Sequence, residues 1–106
     1  MSYRFMRVLL MFDLPVLTST NRRDYRKFKK FLITTGFYML QESVYCKMVL
    51  NSTAANTVVK SVKDNAPPNG LVQTLIITEK QFSNMELISG EFETDVINND
   101  QRVIDL

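Results

Sequence analysis

Residues 3–12, YRFMRVLLMF, place the tightest constraint on the fold. In an extended strand successive side chains point to opposite faces. Met6, Val8, Leu10 and Phe12 then share one face, and Tyr3, Phe5, Leu9 and Met11 share the other. Both faces are apolar, so both need cover. The run LVQTLIIT (71–78) repeats the pattern. A sheet built from such strands is covered by helices on one side and by something else on the other.

The remaining segments supply the helices. DLP (13–15) ends the first strand, because Pro15 biases Leu14 toward an extended conformation at a loop entrance. NRRDYRKFKKFLITT (21–35) reads as a helix, capped by Ser19, Thr20 or Asn21 and stopped by Gly36. FYMLQ and SVYCKMVL read as a hairpin turning near Gln41, Glu42 and Ser43. NSTAANTVVKSVKDNA (51–66) reads as a second helix, capped by Asn51 or Ser52, with an apolar stripe of Ala55, Val58, Val59 and Val62 and a PPNG stop. The order strand–helix–strand–strand–helix–strand, with two right-handed crossovers around a hairpin, defines an α+β, ferredoxin-like βαββαβ sandwich with both helices on one face. The competing fold is another α+β arrangement of the same elements. At 106 residues the chain is one modest domain, burying roughly 60–70% of its unfolded surface, so cover from a partner would add to a small core.

The bare face therefore calls for a second surface. The simplest is a copy of itself in a twofold dimer. The alternative is the chain's own C-terminal segment folded back. Strand parity puts Asp13 on that bare face with Arg7, Leu9 and Met11. In a face-to-face dimer two copies of Asp13 approach each other. They stay ionised with a cation between them, or one takes a proton. Magnesium suits such a pair, because it prefers oxygen ligands and retains water. The plainer alternative makes Asp13 a turn aspartate bonded to nearby backbone N–H groups.

Charge is unevenly placed. Residues 1–30 hold eight Lys/Arg against Asp13 and Asp24, while 91–106 hold Glu91, Glu93, Asp95, Asp100 and Asp105 against Arg102. At about 100° per residue, Tyr25, Phe28, Phe31 and Leu32 share one side of the first helix. Arg23, Arg26, Lys27 and Lys30 lie opposite, and Arg22 and Lys29 flank the stripe. Six cations within residues 22–30 repel one another unless an anion neutralises them, and a phosphate backbone is the natural partner. The aromatic spacing belongs to a core and not to a stacking platform.

Other chemistries are thin. There is no histidine, which removes the commonest general base and metal ligand. The single Cys46 permits no internal disulfide and reads as a small core residue. MSYRFMRVLL carries charges inside its apolar run and no cleavage site, and no stretch nears the roughly 20 apolar residues of a membrane span, so the expected location is the cytoplasm. Three glycines offer no glycine-rich loop for a small ligand, which weakens a regulatory ligand-binding reading.

VLLMFDLP, DYRKFKKFLITTGFYMLQESVYCKMV and LIITEKQFSNMELISGE together resemble the small CRISPR-associated adaptation proteins, the family commonly called "Cas-two". The EKQF close and short acidic tail look most like the type II systems. The resemblance implies a homodimer and carries metal binding onto Asp13, with Mg2+ or another divalent cation. It implies endonuclease activity in some members, on single-stranded RNA or duplex DNA, with Asp13 catalytic through the metal. It implies a partner, the CRISPR integrase ("Cas-one"), with the small dimer acting as scaffold and ruler on duplex DNA during spacer integration. It places Arg22, Arg23, Arg26, Lys27 and Lys30 toward the DNA backbone. A stand-alone, toxin-like magnesium-dependent endoribonuclease is the alternative. The expected organisation is a ferredoxin-like domain over 1–90 and an extension over 91–106. Val96-Ile97 and Val103-Ile104 in that extension can add as strands to a sheet edge of the sister subunit or the integrase.

Overall fold

The computed structural model describes residues 5–91. The order is β1 (Met6–Asp13), α1 (Ser19–Thr34), β2 (Tyr38–Gln41), β3 (Val44–Val49), α2 (Ser52–Asn65), β4 (Leu71–Thr78) and a short α3 (Glu79–Ser83). The strands form one antiparallel sheet in the order β2-β3-β1-β4. This is the ferredoxin-like arrangement expected, with a third helix added. The expected C-terminal strand segment, within 92–106, lies outside the described residues.

Local chemistry explains the boundaries. α1 starts earlier than its sequence suggests, because the cap is Thr18, with extended backbone and a side-chain oxygen accepting from the Asn21 N–H at 3.0 Å. Thr18 also accepts the first helical bond, from the Arg22 N–H, so the chain gains helix ahead of the other candidate caps. At the far end Phe37 N–H donates to Leu32 O and Gly36 N–H to Ile33 O, the paired bonds that close a helix around a left-handed residue. Gly36 supplies that residue at φ +100°. α2 is capped by Asn51, whose Oδ1 accepts from Ala54 N–H at 2.8 Å.

The core lies between the helices and one sheet face. Val8, Leu10 and Phe12 of β1 meet Tyr45 and Val49 of β3, Phe28 and Leu32 of α1, and Ala55 and Val62 of α2. Phe12 is a hub: its ring centroid lies 5.9 Å from Tyr25, 5.8 Å from Phe28 and 5.8 Å from Tyr45. The first two are edge-to-face and the third stacked, and aromatic pairs of both kinds add to the burial of large rings.

The other face stays bare over much of its area. Leu71, Leu75, Met48 and Tyr38 are about half exposed, and Leu9 and Met11 are partly covered. Paired residues of an antiparallel sheet share a face, so the register groups Arg7, Leu9, Met11 and Asp13 with Met48, Cys46, Leu75 and Leu71. Cys46 is fully buried but outside the helix-side cluster. It is a small buried residue, as its alternation suggests, on the sheet face away from the helices, where Arg7 Nη1 lies 3.7 Å from its sulfur. Among the described residues no helix is long and apolar enough to cross a membrane.

Because Phe12 fills the space where β1, β3 and α1 meet, Phe12→Ala is expected to lower the unfolding free energy by about 3–5 kcal/mol. Urea denaturation followed by circular dichroism measures it.

Candidate metal centre and nucleic-acid interface

Asp13 closes β1. The strand stays regular to its end, since Asp13 is still paired with Leu71 of β4. The residue is therefore the last of the strand, at the loop entrance that DLP suggests. Phe12 points into the core, so the two-residue pleat sends Asp13 to the open face, where it is exposed. Its carboxylate makes no hydrogen bond or ion pair within the described residues, so the local bonds of a turn aspartate are not found there. The backbone around it is tightly fitted: a methyl group on Gly70 would lie 2.8 Å from the Asp13 carbonyl oxygen, 2.8 Å from Leu14 Cδ2 and 3.0 Å from Pro15 Cδ. Gly70 also has φ +97°, which glycine adopts freely.

Among the described residues no three acidic or cysteine side chains converge as a metal cage. One chain offers a single hard oxygen donor, Asp13. A single carboxylate of this kind suits an oxygen-seeking, water-retaining cation in its chemistry but does not by itself make a cation site.

The basic residues sit together on α1. Phe28 and Leu32 turn toward the sheet, while Arg22, Arg23, Arg26, Lys27 and Lys30 are exposed on the helix surface. Arg22 Nη1 donates to Val16 O at 3.2 Å and Leu17 O at 3.3 Å. Arg23 lies 3.8 Å from Asp24, a weak pair. Lys29 stands over the Tyr25 ring at 5.3 Å. Arg26, Lys27 and Lys30 meet no carboxylate among the described residues. The first turn of α1 has no acid either, so the helix N-terminus adds to the positive potential. Asp13 and the basic ridge occupy different surfaces, one on the open face and one on the helix layer.

A third group was not evident in the sequence. Arg7 stands on the open face toward the other end of β1. Its Nε and Nη2 donate to the two carboxylate oxygens of Glu79 at 2.7 and 3.1 Å. Nη1 donates to Tyr38 Oη at 2.7 Å and contacts Cys46 Sγ at 3.7 Å. Phe82 of α3 lies under the guanidinium, 4.2 Å from ring centroid to Cζ. The Glu79 bonds raise the Arg7 pKa further above its usual value against the opposing effect of burial. They hold the Glu79 carboxyl below the usual carboxylate range. Burial, aided by the Cys46 contact, pushes the Tyr38 phenol up. The sequence did carry a signal for α3. Thr78 and Gln81 form a capping box, Gln81 N–H donating to Thr78 Oγ1 at 3.0 Å and Thr78 N–H to Gln81 Oε1 at 2.8 Å.

The fold and these surfaces define a ferredoxin-like protein with one bare apolar sheet face, a carboxylate at its rim and a cationic helix ridge on the opposite layer. The profile of the family described as "CRISPR associated protein Cas2" matches residues 6–85, and the chain belongs to that family. It is 52% identical over 99 residues to a protein of Treponema denticola named CRISPR-associated endoribonuclease Cas2, covering 93% of this chain and 98% of that one. Relatives bearing the same name in Streptococcus mutans (serotype c, strain UA159) and Ligilactobacillus salivarius are 45% and 44% identical. Each alignment spans 93% of this chain, and 91% and 98% of the relatives respectively.

Glu79 is held ionised by Arg7, so its contribution is full above its unfolded pKa and is lost as pH falls through the lower folded value. Docking of α3 is therefore expected to weaken below about pH 4. Hydrogen exchange at the α3 amides, compared between pH 5 and pH 3, measures the loss. Arg7→Met is expected to produce the same loosening at pH 7.

Proposed function

We propose that two copies of this chain pair through their open sheet faces and hold duplex DNA along the paired α1 ridges, as a scaffold for the CRISPR integrase during spacer capture and integration. The observation that carries this reading is the separation of the two surfaces. The bare apolar face, rich in Leu71, Leu75, Met48 and Tyr38, lies on the side of the sheet away from the cationic helix. Pairing through the first leaves the second free on both outer sides. Burying half-exposed leucines stabilises association at roughly 25 cal/mol per Å2 of apolar surface. Arg22, Arg23, Arg26, Lys27 and Lys30 neutralise phosphates without reading bases. The segment 91–106 forms an extension to the domain of residues 1–90, adding as a strand to an exposed sheet edge of the sister subunit or the integrase. The complex works in the cytoplasm, where the CRISPR array is, and the type II assignment belongs to the same proposal.

A second reading is favoured by the exposed Asp13 and by the name that the relatives carry, CRISPR-associated endoribonuclease. Here the two Asp13 carboxylates of the dimer hold a divalent cation, Mg2+ by its preference for oxygen ligands, between them. When bound, such an ion supplies an acidic water able to attack a phosphodiester. The chain's own part is to hold the two carboxylates at fixed strand ends, while the cationic helix ridge on the other layer adds a general attraction for the phosphate backbone. The substrate is then single-stranded RNA or duplex DNA.

Several measurements separate the readings. Leu75→Glu is expected to turn the dimer into a folded monomer by light scattering; a wild-type chain that stays monomeric at micromolar concentration would refute the pairing. Duplex affinity is expected to fall steeply with salt. Replacing Arg26 and Lys30 by Gln removes four cations per dimer and is expected to reduce the log–log salt slope by roughly 3–4. Asp13→Ala is expected to leave duplex binding and complex assembly intact. If spacer acquisition nevertheless disappears in that variant, the carboxylate does more than scaffold. For the nuclease reading, cleavage is expected to need the divalent ion and to vanish in Asp13→Asn; cutting that persists there, or in chelator, belongs to a contaminant.

A further inference from the structure

Leu17 is the most exposed of the large apolar side chains described, at 87%, and its neighbour Val16 is 49% exposed. They form the tip of the loop between β1 and α1, Leu14-Pro15-Val16-Leu17-Thr18, which contains no glycine. Single exposed leucines are ordinary, but this tip is built to project. Pro15 fixes its own φ. Thr18 is locked as the α1 cap. Arg22 Nη1 binds the carbonyl oxygens of both Val16 and Leu17 from below, at 3.2 and 3.3 Å. The two apolar side chains are thus held out from the protein while their backbone is tied to a cation.

The surroundings select the ligand. Arg22, Arg23 and Arg26 follow within the first turns of α1, and no acid lies in its first turn. Anything that reaches Leu17 meets Arg22 at the base of a small apolar point, with Arg23 and Arg26 exposed farther along the helix and Asp24 at the inner side of the loop. A duplex presents the matching pattern: phosphates on either side of a groove floored by deoxyribose and base edges. The major groove admits a whole helix, whereas the minor groove, about 6 Å wide, admits a loop tip or a side chain. Apolar side chains inserted there are a known way to grip DNA without reading much sequence.

Resting on the duplex-binding reading above, we infer that the Pro15-Val16-Leu17 tip enters the minor groove and packs on its sugars and base edges. The remaining donors of Arg22, and Arg23 and Arg26 beside it, take the flanking phosphates. A twofold dimer applies two such tips to one duplex, and the separation of the tips gives the spacing of the two contacts.

The test uses the full-length dimer and a labelled duplex in fluorescence polarisation, with hydroxyl-radical cleavage to report minor-groove sugars. Leu17→Ser alters a side chain already in water, so its melting temperature is expected to match the wild type. Its duplex affinity is expected to fall about 100-fold, the effect of leaving two leucines, one per protomer, unburied at about tenfold each. The salt slope is expected to stay unchanged, because no phosphate contact is lost. Two patches of protected sugars seen with the wild type are expected to disappear, and Leu17→Met to restore both protection and affinity. Unchanged affinity and unchanged protection in Leu17→Ser overturn the inference while leaving the scaffold reading standing. So does a variant that binds duplex normally but loses the integrase, since the tip then docks on protein. A wild-type dimer that binds no duplex removes the functional reading itself, which is a distinct result.

Discussion

The pleat of β1 joins the core to the functional surface. Phe12 is fixed by Tyr25, Phe28 and Tyr45, and a strand has no freedom to turn one residue without turning the next. Asp13 is therefore aimed by hydrophobic packing on the far side of the sheet. Gly70 completes the arrangement, because only a residue without a side chain lets β4 come close enough to pair Leu71 with Asp13. Stability and the position of the carboxylate are in this sense one property.

The same face holds a charge at its other end. A guanidinium among apolar strands is costly unless its donors are met. Glu79, Tyr38 and Cys46 meet them, and Phe82 covers the plane. The result ties α3 to the central part of the sheet and closes one end of the bare face. Between Arg7 and Asp13 remain Leu9 and Met11, with Leu75 opposite Leu9, Gln73 opposite Met11 and Leu71 beside Asp13 on the neighbouring strand. A partner on this face thus meets a mainly apolar middle bounded by a neutralised cation at one end and, at the other, a carboxylate with no ion pair among the described residues.

The helix layer follows a different logic. α1 needs only Phe28, Leu32 and their half-buried neighbours Tyr25 and Phe31 to hold it on the sheet. Its outer positions are free to carry charge, and they carry almost one sign. Such a surface raises the electrostatic energy of the isolated protein and lowers it when phosphates approach. Arg22 connects this ridge to the β1–α1 loop and gives the loop a fixed shape.

Much of this was legible in the chain. The two-sided strands, the basic helix, the hairpin and the start and end of LVQTLIIT as β4 follow from periodicity and turn residues, and parity alone put Asp13 on the open face. Other features were not legible, because they depend on residues far apart in sequence. Arg7 and Glu79 are separated by 72 positions. Nothing local marks them as partners; Cys46 is buried as its alternation suggests, but only the register brings it against Arg7. The α1 cap was likewise missed: Thr18 takes it, ahead of the Ser19, Thr20 and Asn21 that the sequence offers, because its backbone is extended and its side chain reaches the Asn21 N–H. The sequence by itself determined the order of elements, the apolar faces and the sign of the helix surface, because these depend on periods of two and about 3.6 residues. Only the tertiary structure decided which cation is neutralised, how α3 sits and where the loop tip points, because those depend on distances between strands and helices that no local pattern encodes.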